Sequence, residues 1–173
     1  MGYLCTSCLR EYIKEGLNLT KNSGYNYRCP SVDCGDFAVV EIDDMILYVI
    51  KELNKKGYKT FYCCSGHSYE NDANTYICFD GDTVPKTVPI GFILEDEEYY
   101  KQNRWSYDGS KICIRKWYKN VSKNNLPKEL LKTALDLIEW VDDLPYFDEV
   151  QEYDIELSKS IKFQVSKINE VNL

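Results

Sequence analysis

Apolar residues recur at helical spacing in two stretches of the chain. The first stretch follows Asp43 and Asp44 and ends before Gly57, so we predict a helix over residues 44–56. In the second, Pro127 suits the first turn of a helix and Pro145 ends the pattern. The stripes consist of Met45, Ile46, Val49, Ile50 and Leu53 in the first helix and Leu130, Leu131, Ala134, Leu137, Ile138 and Val141 in the second.

Segments rich in β-branched and aromatic residues, or alternating in polarity, predict extended structure elsewhere. Residues 111–118 alternate in polarity, with Ile112 and Ile114 on one side and Cys113 and Arg115 on the other. This alternation is typical of a half-buried strand. Residues 58–64 and 75–80 flank a polar loop, an arrangement that is typical of a hairpin-like pair of strands. The predicted strands are residues 58–64, 75–80, 90–94, 111–118 and, in the tail, 153–165, where Ile161, Val165 and Ile168 would also suit a helix.

The spacing of the first four cysteines indicates a metal site. Cys5-x2-Cys8 and Cys29-x4-Cys34 form two short hooks, separated by twenty residues, that are suited to hold one tetrahedral Zn²⁺. Residues 1–40 contain too few large apolar side chains for a core of their own, and such small segments usually need a metal or a disulfide. Because four thiolates leave no position for water or substrate, we predict one structural zinc ion without a catalytic role.

Composition narrows the class of protein. A content of 44% hydrophobic residues is incompatible with intrinsic disorder, and a net charge of −7 argues against strong non-specific binding to DNA. No apolar run is long enough to span a membrane, and the first residues lack a basic flank followed by an apolar stretch, so we expect a soluble, cytoplasmic protein. The eight cysteines could instead form four disulfides in a secreted protein, but the first residues lack the signal-peptide pattern that this alternative requires.

A second group of reactive side chains is Cys63-Cys64-Ser65-Gly66-His67, which leaves a predicted strand and contains the chain's single histidine. Neighbouring side chains of a strand point to opposite faces, so Cys64 is the one expected on the loop side. Gly66 permits a tight turn in which the Cys64 thiol and the His67 imidazole converge. Three alternatives remain open: a packed turn with Cys63 in the core, a binding or catalytic loop, or a second metal site. In a catalytic loop Cys64 would be a nucleophile or ligand and His67 a proton carrier.

Two charged segments suggest a macromolecular partner. Cations interleave with aromatic side chains at Arg115, Lys116, Trp117 and Lys119, as in grooves that bind RNA or single-stranded DNA, although a solvated strand face is the commoner explanation. Residues 133–158 carry nine acids and no base. An exposed helix and loop is the commoner explanation, but such a run also suits the basic groove of a protein partner, as in a phage-type inhibitor.

Residues 41–80 combine the acidic pair Asp43-Asp44, the first predicted helix, Asn54, and the turn Cys64-Ser65-Gly66. This block resembles the opening block of the wybutosine-synthesis tRNA methyltransferase family, which typically has Ser-Cys-Ser-Gly-Arg where this chain has Cys63-Cys64-Ser65-Gly66-His67. The resemblance implies a related α/β core and an RNA- or nucleotide-modifying enzyme that uses the turn. The same block is similar to uncharacterised proteins of low-GC bacteria and their phages, in which a cysteine module precedes a Cys-Ser-Gly-His turn.

These observations predict an α+β or mixed α/β protein. We expect an N-terminal zinc ribbon over residues 1–40 and an α/β domain over residues 41–173, with a sheet of about five strands and two main helices on one face. The leading functional hypothesis is a non-catalytic structural-zinc protein that recognises a protein or RNA partner, either through the loop Ser65–His67 or through the charge-segregated C-terminal half. The alternative is the RNA- or nucleotide-modifying enzyme.

Overall fold

The computed structural model describes residues 1–13, 27–67, 73–102 and 111–148. Within these ranges the strands form two antiparallel sheets, of three and four strands. The first sheet has the order β2-β1-β3, and the second has the order β4-β5-β7-β6. The strands are β1 (Gly2–Cys5), β2 (Glu11–Tyr12), β3 (Val39–Ile42), β4 (Thr60–Cys64), β5 (Asn74–Asp80), β6 (Ile93–Glu95) and β7 (Lys111–Trp117).

The predicted layout, a zinc ribbon followed by a sheet of about five strands, is matched only in part, because the second sheet contains four of the predicted strands and β3 belongs to the first sheet. The N-terminal strands pair with one another, since Tyr3 of β1 lies opposite Tyr12 on one side and Glu41 on the other. Strand β3 also runs through residue 40, where the sequence suggests a boundary between two domains. The predicted strand over residues 153–165 lies outside the described residues.

Two long helices follow the predicted apolar stripes. Helix α1 (Leu47–Lys55) begins three residues after the predicted start, and Gly57 ends it with a left-handed φ of 92°. Helix α3 (Leu126–Asp143) has a proline in its first turn and ends just before Pro145, as predicted. A short helix, α2 (Glu97–Gln102), occupies a stretch for which the sequence gives no clear pattern. No helix in the described part of the chain combines the length and apolar character needed to cross a membrane.

One large apolar core lies between the two long helices and the second sheet. Ile77 and Ile114 are directly paired on β5 and β7, and they pack with Leu137 of α3 in this core. The alternation predicted for β7 is confirmed, because Ile112 and Ile114 pair with Phe79 and Ile77 on the core face. The other buried members are Leu4, Ile42, Ile46, Val49, Ile50, Leu53, Tyr58, Phe79, Phe92, Val141 and Leu144.

A disulfide joins Cys78 of β5 to Cys113 of β7, which are directly opposite each other in the strand register. Both residues lie on the sheet face away from Ile77 and Ile114, and both are buried. The other six cysteines are free thiols. The eight cysteines therefore do not form the four disulfides that were the alternative to a metal site.

Candidate metal centre and the adjoining cleft

The sulfur atoms of the two predicted hooks lie together. Cys5 Sγ is 3.8 Å from Cys34 Sγ, Cys8 Sγ is 3.7 Å from Cys29 Sγ, and all four lie within 4.8 Å of one another. Four sulfurs placed about 2.3 Å from a tetrahedral zinc ion would be separated by about 3.8 Å. The geometry therefore fits one metal ion held by four thiolates, while the identity of the metal rests on the chemistry of the ligands.

Tight turns place the sulfurs of each hook. In the first, the Leu9 amide donates to the Cys5 carbonyl at 2.8 Å, and Leu9 itself takes a left-handed φ of 59° that a leucine seldom adopts. In the second, the Gly35 amide donates to the Ser31 carbonyl at 3.1 Å, and Gly35 has a φ of 63°. Both hooks thus turn the backbone sharply where side chains converge on one point.

Two contacts around the hooks had no signal in the sequence. Tyr12, on β2, brings its hydroxyl to 3.1 Å from Cys29 Sγ. Arg10 donates to the Ser31 hydroxyl and lies 3.6 Å from the Asp33 carboxylate, so its side chain ties the first hook to the second. Contacts of this kind orient ligands, and they depend on strand pairing that spacing alone does not give.

Burial and hydrogen bonding separate the acidities of the free thiols. Burial raises the pKa of Cys5 to about 12. Burial opposes ionisation of Cys29 as well, but hydrogen bonds from the Tyr12 hydroxyl and the Ser31 backbone amide outweigh it and lower its pKa to about 7. The same contact with Cys29 adds to burial in raising the pKa of Tyr12. Cys29 is therefore already close to the thiolate form that binds metal.

Ser65, Gly66 and His67 line a cleft of about 360 Å³. Residues 43–45 form a second wall, and Pro127 and Leu130 at the start of α3 form a third. Asp43 fixes the turn, since its Oδ2 accepts from the Ser65 amide at 2.9 Å and from the Ser65 hydroxyl at 3.1 Å. The loop predicted to bind a ligand thus borders a concave surface built from distant parts of the chain.

The two adjacent cysteines of β4 point in opposite directions, as predicted. Cys63 is opposite Ile77 and packs against the core, where burial raises its pKa to about 12. Cys64 is opposite Tyr76 on the other face, and its Sγ lies 3.6 Å from His67 Nε2. The thiol and imidazole therefore converge at the turn. Asp43, which the sequence did not single out for this role, completes a group of three whose ligand atoms lie within 4.8 Å of one another.

The structure divides the predicted nucleic-acid contacts of β7 between two faces of its sheet. Arg115 lies over the rings of Tyr76 and Trp117, and it forms an ion pair with Glu95 at 2.8 Å. Lys116 points to the opposite face, where its Nζ donates to Thr133 of α3 at 2.8 Å.

Lys119 Nζ lies 5.8 Å from the centre of the Trp117 ring. Both Arg115 and Lys119 therefore lie against Trp117, whereas Lys116 lies on the other face, and Arg115 and Lys116 also bind partners inside the protein. Contact with nucleic acid stays a prediction for all four residues.

Comparisons with family models, with curated proteins and with solved structures find no match to this chain. The resemblance of residues 41–80 to the wybutosine-synthesis methyltransferases consequently stays a prediction.

Proposed function

We propose that this is a metal-stabilised, non-catalytic recognition protein that binds a protein partner through one face of α3. The observation that carries the proposal is a pair of exposed leucines one turn apart: Leu131 is 57% exposed and Leu135 is 54% exposed. Leu137 and Val141, which face the core, are fully buried on the other side of the same helix. Exposed leucines at this spacing provide the apolar centre that a protein interface needs.

Charged residues border the leucines in two separate groups. Lys128 and Lys132 lie on the same face toward the start of α3, and Glu139 and Asp142 lie on it toward the end. Tyr48 of α1 extends the surface by donating its hydroxyl to Asp142 at 2.8 Å. A partner with an acidic group at one end and a basic group at the other would complement this face, and such complementarity fixes orientation. A second copy of the chain packed antiparallel meets the same description.

Several features favour protein over nucleic acid as the partner. The net charge is −7, and two of the four predicted phosphate contacts, Arg115 and Lys116, are engaged within the fold. The four-thiolate site is closed, so it supports folding and leaves no position for a substrate.

The experiment is site-specific photo-crosslinking in cells that produce the full chain. A benzophenone amino acid replaces Leu135 in one protein and Val32, which is 99% exposed on the metal module, in a matched control. We expect a discrete adduct from position 135 that weakens at high salt and is lost when Leu131→Ser is added. An adduct of twice the chain mass identifies the partner as a second copy. Equal crosslinking from both positions, or none from position 135, contradicts the proposal.

The cleft favours a second candidate function, the RNA- or nucleotide-modifying enzyme. A thiol 3.6 Å from an imidazole beside a cleft is the arrangement that an activated cysteine nucleophile requires. This reading is tested by the alkylation rate of Cys64 with iodoacetamide, resolved by peptide mass. It predicts a slower rate in His67→Gln, and an unchanged rate argues against it.

A further inference from the structure

We propose that Asp43, Cys64 and His67 form a second metal site, separate from the four-thiolate centre and open to the cleft. One oxygen, one sulfur and one nitrogen from these side chains lie within 4.8 Å of one another, with Cys64 Sγ and His67 Nε2 3.6 Å apart. That spacing is close to the spacing of the sulfurs in the four-thiolate centre, where the contacts are 3.7 and 3.8 Å. The inference goes beyond recognition by α3 and does not depend on it.

The backbone and its hydrogen bonds hold the three ligand groups in place. Asp43 directly follows β3, and both donors of Ser65 bind its Oδ2, so Oδ1 of the same carboxylate is not used by these bonds. The Gly66 amide donates to Cys64 Sγ at 3.3 Å and so helps to orient the sulfur at the turn. Gly66 also takes a φ of 86°, a left-handed conformation that lets the chain turn between Cys64 and His67.

The set of ligand atoms indicates the class of metal. Thiolate and imidazole select zinc, cobalt and similar divalent ions, whereas magnesium and calcium prefer all-oxygen sites. Three protein ligands leave the fourth tetrahedral position for water or for a donor atom of a bound molecule. Because Asp43 and His67 both line the cleft, that position would face it. The two metal sites would therefore differ in kind, one closed and one open.

The test is a titration of the metal-free, reduced full chain with Co²⁺ alone, followed by absorption. We expect two equivalents, one with the strong charge-transfer absorption of four thiolates and one with the weaker absorption of a single thiolate. Cys64→Ser and His67→Gln should each remove the second equivalent and leave the first. Ser65→Ala, which takes away one bond to Asp43, should weaken the second equivalent about tenfold.

The matched control is Cys63→Ser, since Cys63 neighbours Cys64 but faces the core, and it should keep both equivalents. A single equivalent in the unaltered chain overturns the proposal, and so does a second equivalent that persists in both Cys64→Ser and His67→Gln. Alkylation of Cys64 separates the site from the cysteine nucleophile: bound metal should protect the thiol, and a chelator should restore its reaction. If the alkylation rate of Cys64 depends on His67 but bound metal does not protect the thiol, the result favours a cysteine nucleophile and counts against a metal site.

Discussion

The interiors beside the two sheets of this protein differ in composition. The interior beside the first sheet contains four buried residues, Tyr3, Cys5, Cys29 and Val39, so half of it consists of metal ligands. The interior beside the second sheet contains fourteen buried apolar residues from both sheets and both long helices. We therefore expect the first to depend on bonds between the four thiolates and a metal ion, and the second to depend on the removal of apolar surface from water.

The first sheet links these two interiors because its strands alternate. On β1, Tyr3 and Cys5 point to the small cluster, whereas Leu4 between them is buried in the large core. On β3, Val39 belongs to the small cluster and Ile42 to the large core. Loss of the metal should therefore free one face of the sheet while the other face still packs against the helices.

The largest effect should come from removing the metal, either with a chelator or by Cys29→Ser. Structural zinc contributes about 10–16 kcal/mol to the folding of small peptides, and the N-terminal strands have few apolar contacts to replace it. We expect amide hydrogen exchange to become fast in β1 and β3 and trypsin to cleave after Arg10 and Arg28. Amides of α3 should stay protected. Uniform loss of protection would show that the two regions unfold as one unit, and no loss would refute a structural role for the metal.

Acidification should weaken zinc binding with a slope that changes near neutral pH. Each thiol must lose its proton to bind zinc, so affinity falls as the pH falls. Cys5, with a pKa of about 12, competes with a proton throughout the neutral range, whereas Cys29 adds a further proton only below its pKa of about 7. Zinc competition with a chelator between about pH 6 and about pH 8 should be steeper on the acid side. A constant slope would contradict the lowered pKa of Cys29.

In the second sheet, the largest single effect should come from Arg115→Met. Glu95 is 1% exposed and pairs with Arg115 at 2.8 Å, so the variant leaves a buried carboxylate without its cation. Loss of one partner of such a pair costs about 3–5 kcal/mol, whereas replacing both partners by apolar residues is often neutral. Denaturation by urea should therefore show Arg115→Met to be much less stable than the double variant with Glu95→Leu. Equal stability of the single and double variants would mean that the buried carboxylate of Glu95 does not need the Arg115 cation.

Local sequence patterns predicted most of the helices and strands. The features that they did not predict depend on pairing between strands that are distant in sequence. The stripes of α1 and α3, the alternation of β7 and the four-cysteine spacing each lie within a few residues, so they are visible in the sequence. The Cys78–Cys113 disulfide depends on the register of β5 against β7, and the two cysteines are 35 positions apart in sequence. The pairing of β1 with β3 in a separate three-stranded sheet was missed for the same reason, because nothing local shows that these two strands pair with each other.

The candidate site shows the same limit. The convergence of Cys64 and His67 follows from a three-residue spacing and was predictable. The addition of Asp43 was not, because it lies 22 residues from Ser65 in sequence and reaches it only through hydrogen bonds. The ion pair of Arg115 with Glu95 was likewise not predictable, because Glu95 lies on the neighbouring strand β6.

The two faces of α3 allow a smaller, paired test. Leu137 is fully buried in the large core, and Leu135 is 54% exposed two residues earlier. Leu137→Ala should cost about 2–5 kcal/mol, because it leaves a cavity among its neighbours. Leu135→Ala should change the free energy of unfolding by no more than about 0.5 kcal/mol. A large loss of stability from Leu135→Ala would mean that this residue supports the fold, and it would remove the basis for a partner surface there.

The most local effect should come from Gly66→Ala. Gly66 has a φ of 86°, and an added Cβ would lie 2.8 Å from Leu130 Cδ2 and 3.1 Å from the Asn74 carbonyl oxygen. Backbone strain of this kind costs about 1–3 kcal/mol. Because the Leu130 side chain can yield and the Asn74 backbone cannot, the turn itself should shift and move His67 away from Cys64.

Gly81→Ala is the control, since Gly81 is exposed and has no left-handed φ. If the turn is a metal site, Gly66→Ala should weaken the second equivalent of Co²⁺ more than it lowers the denaturation midpoint. If it is only a packed turn, stability alone should change.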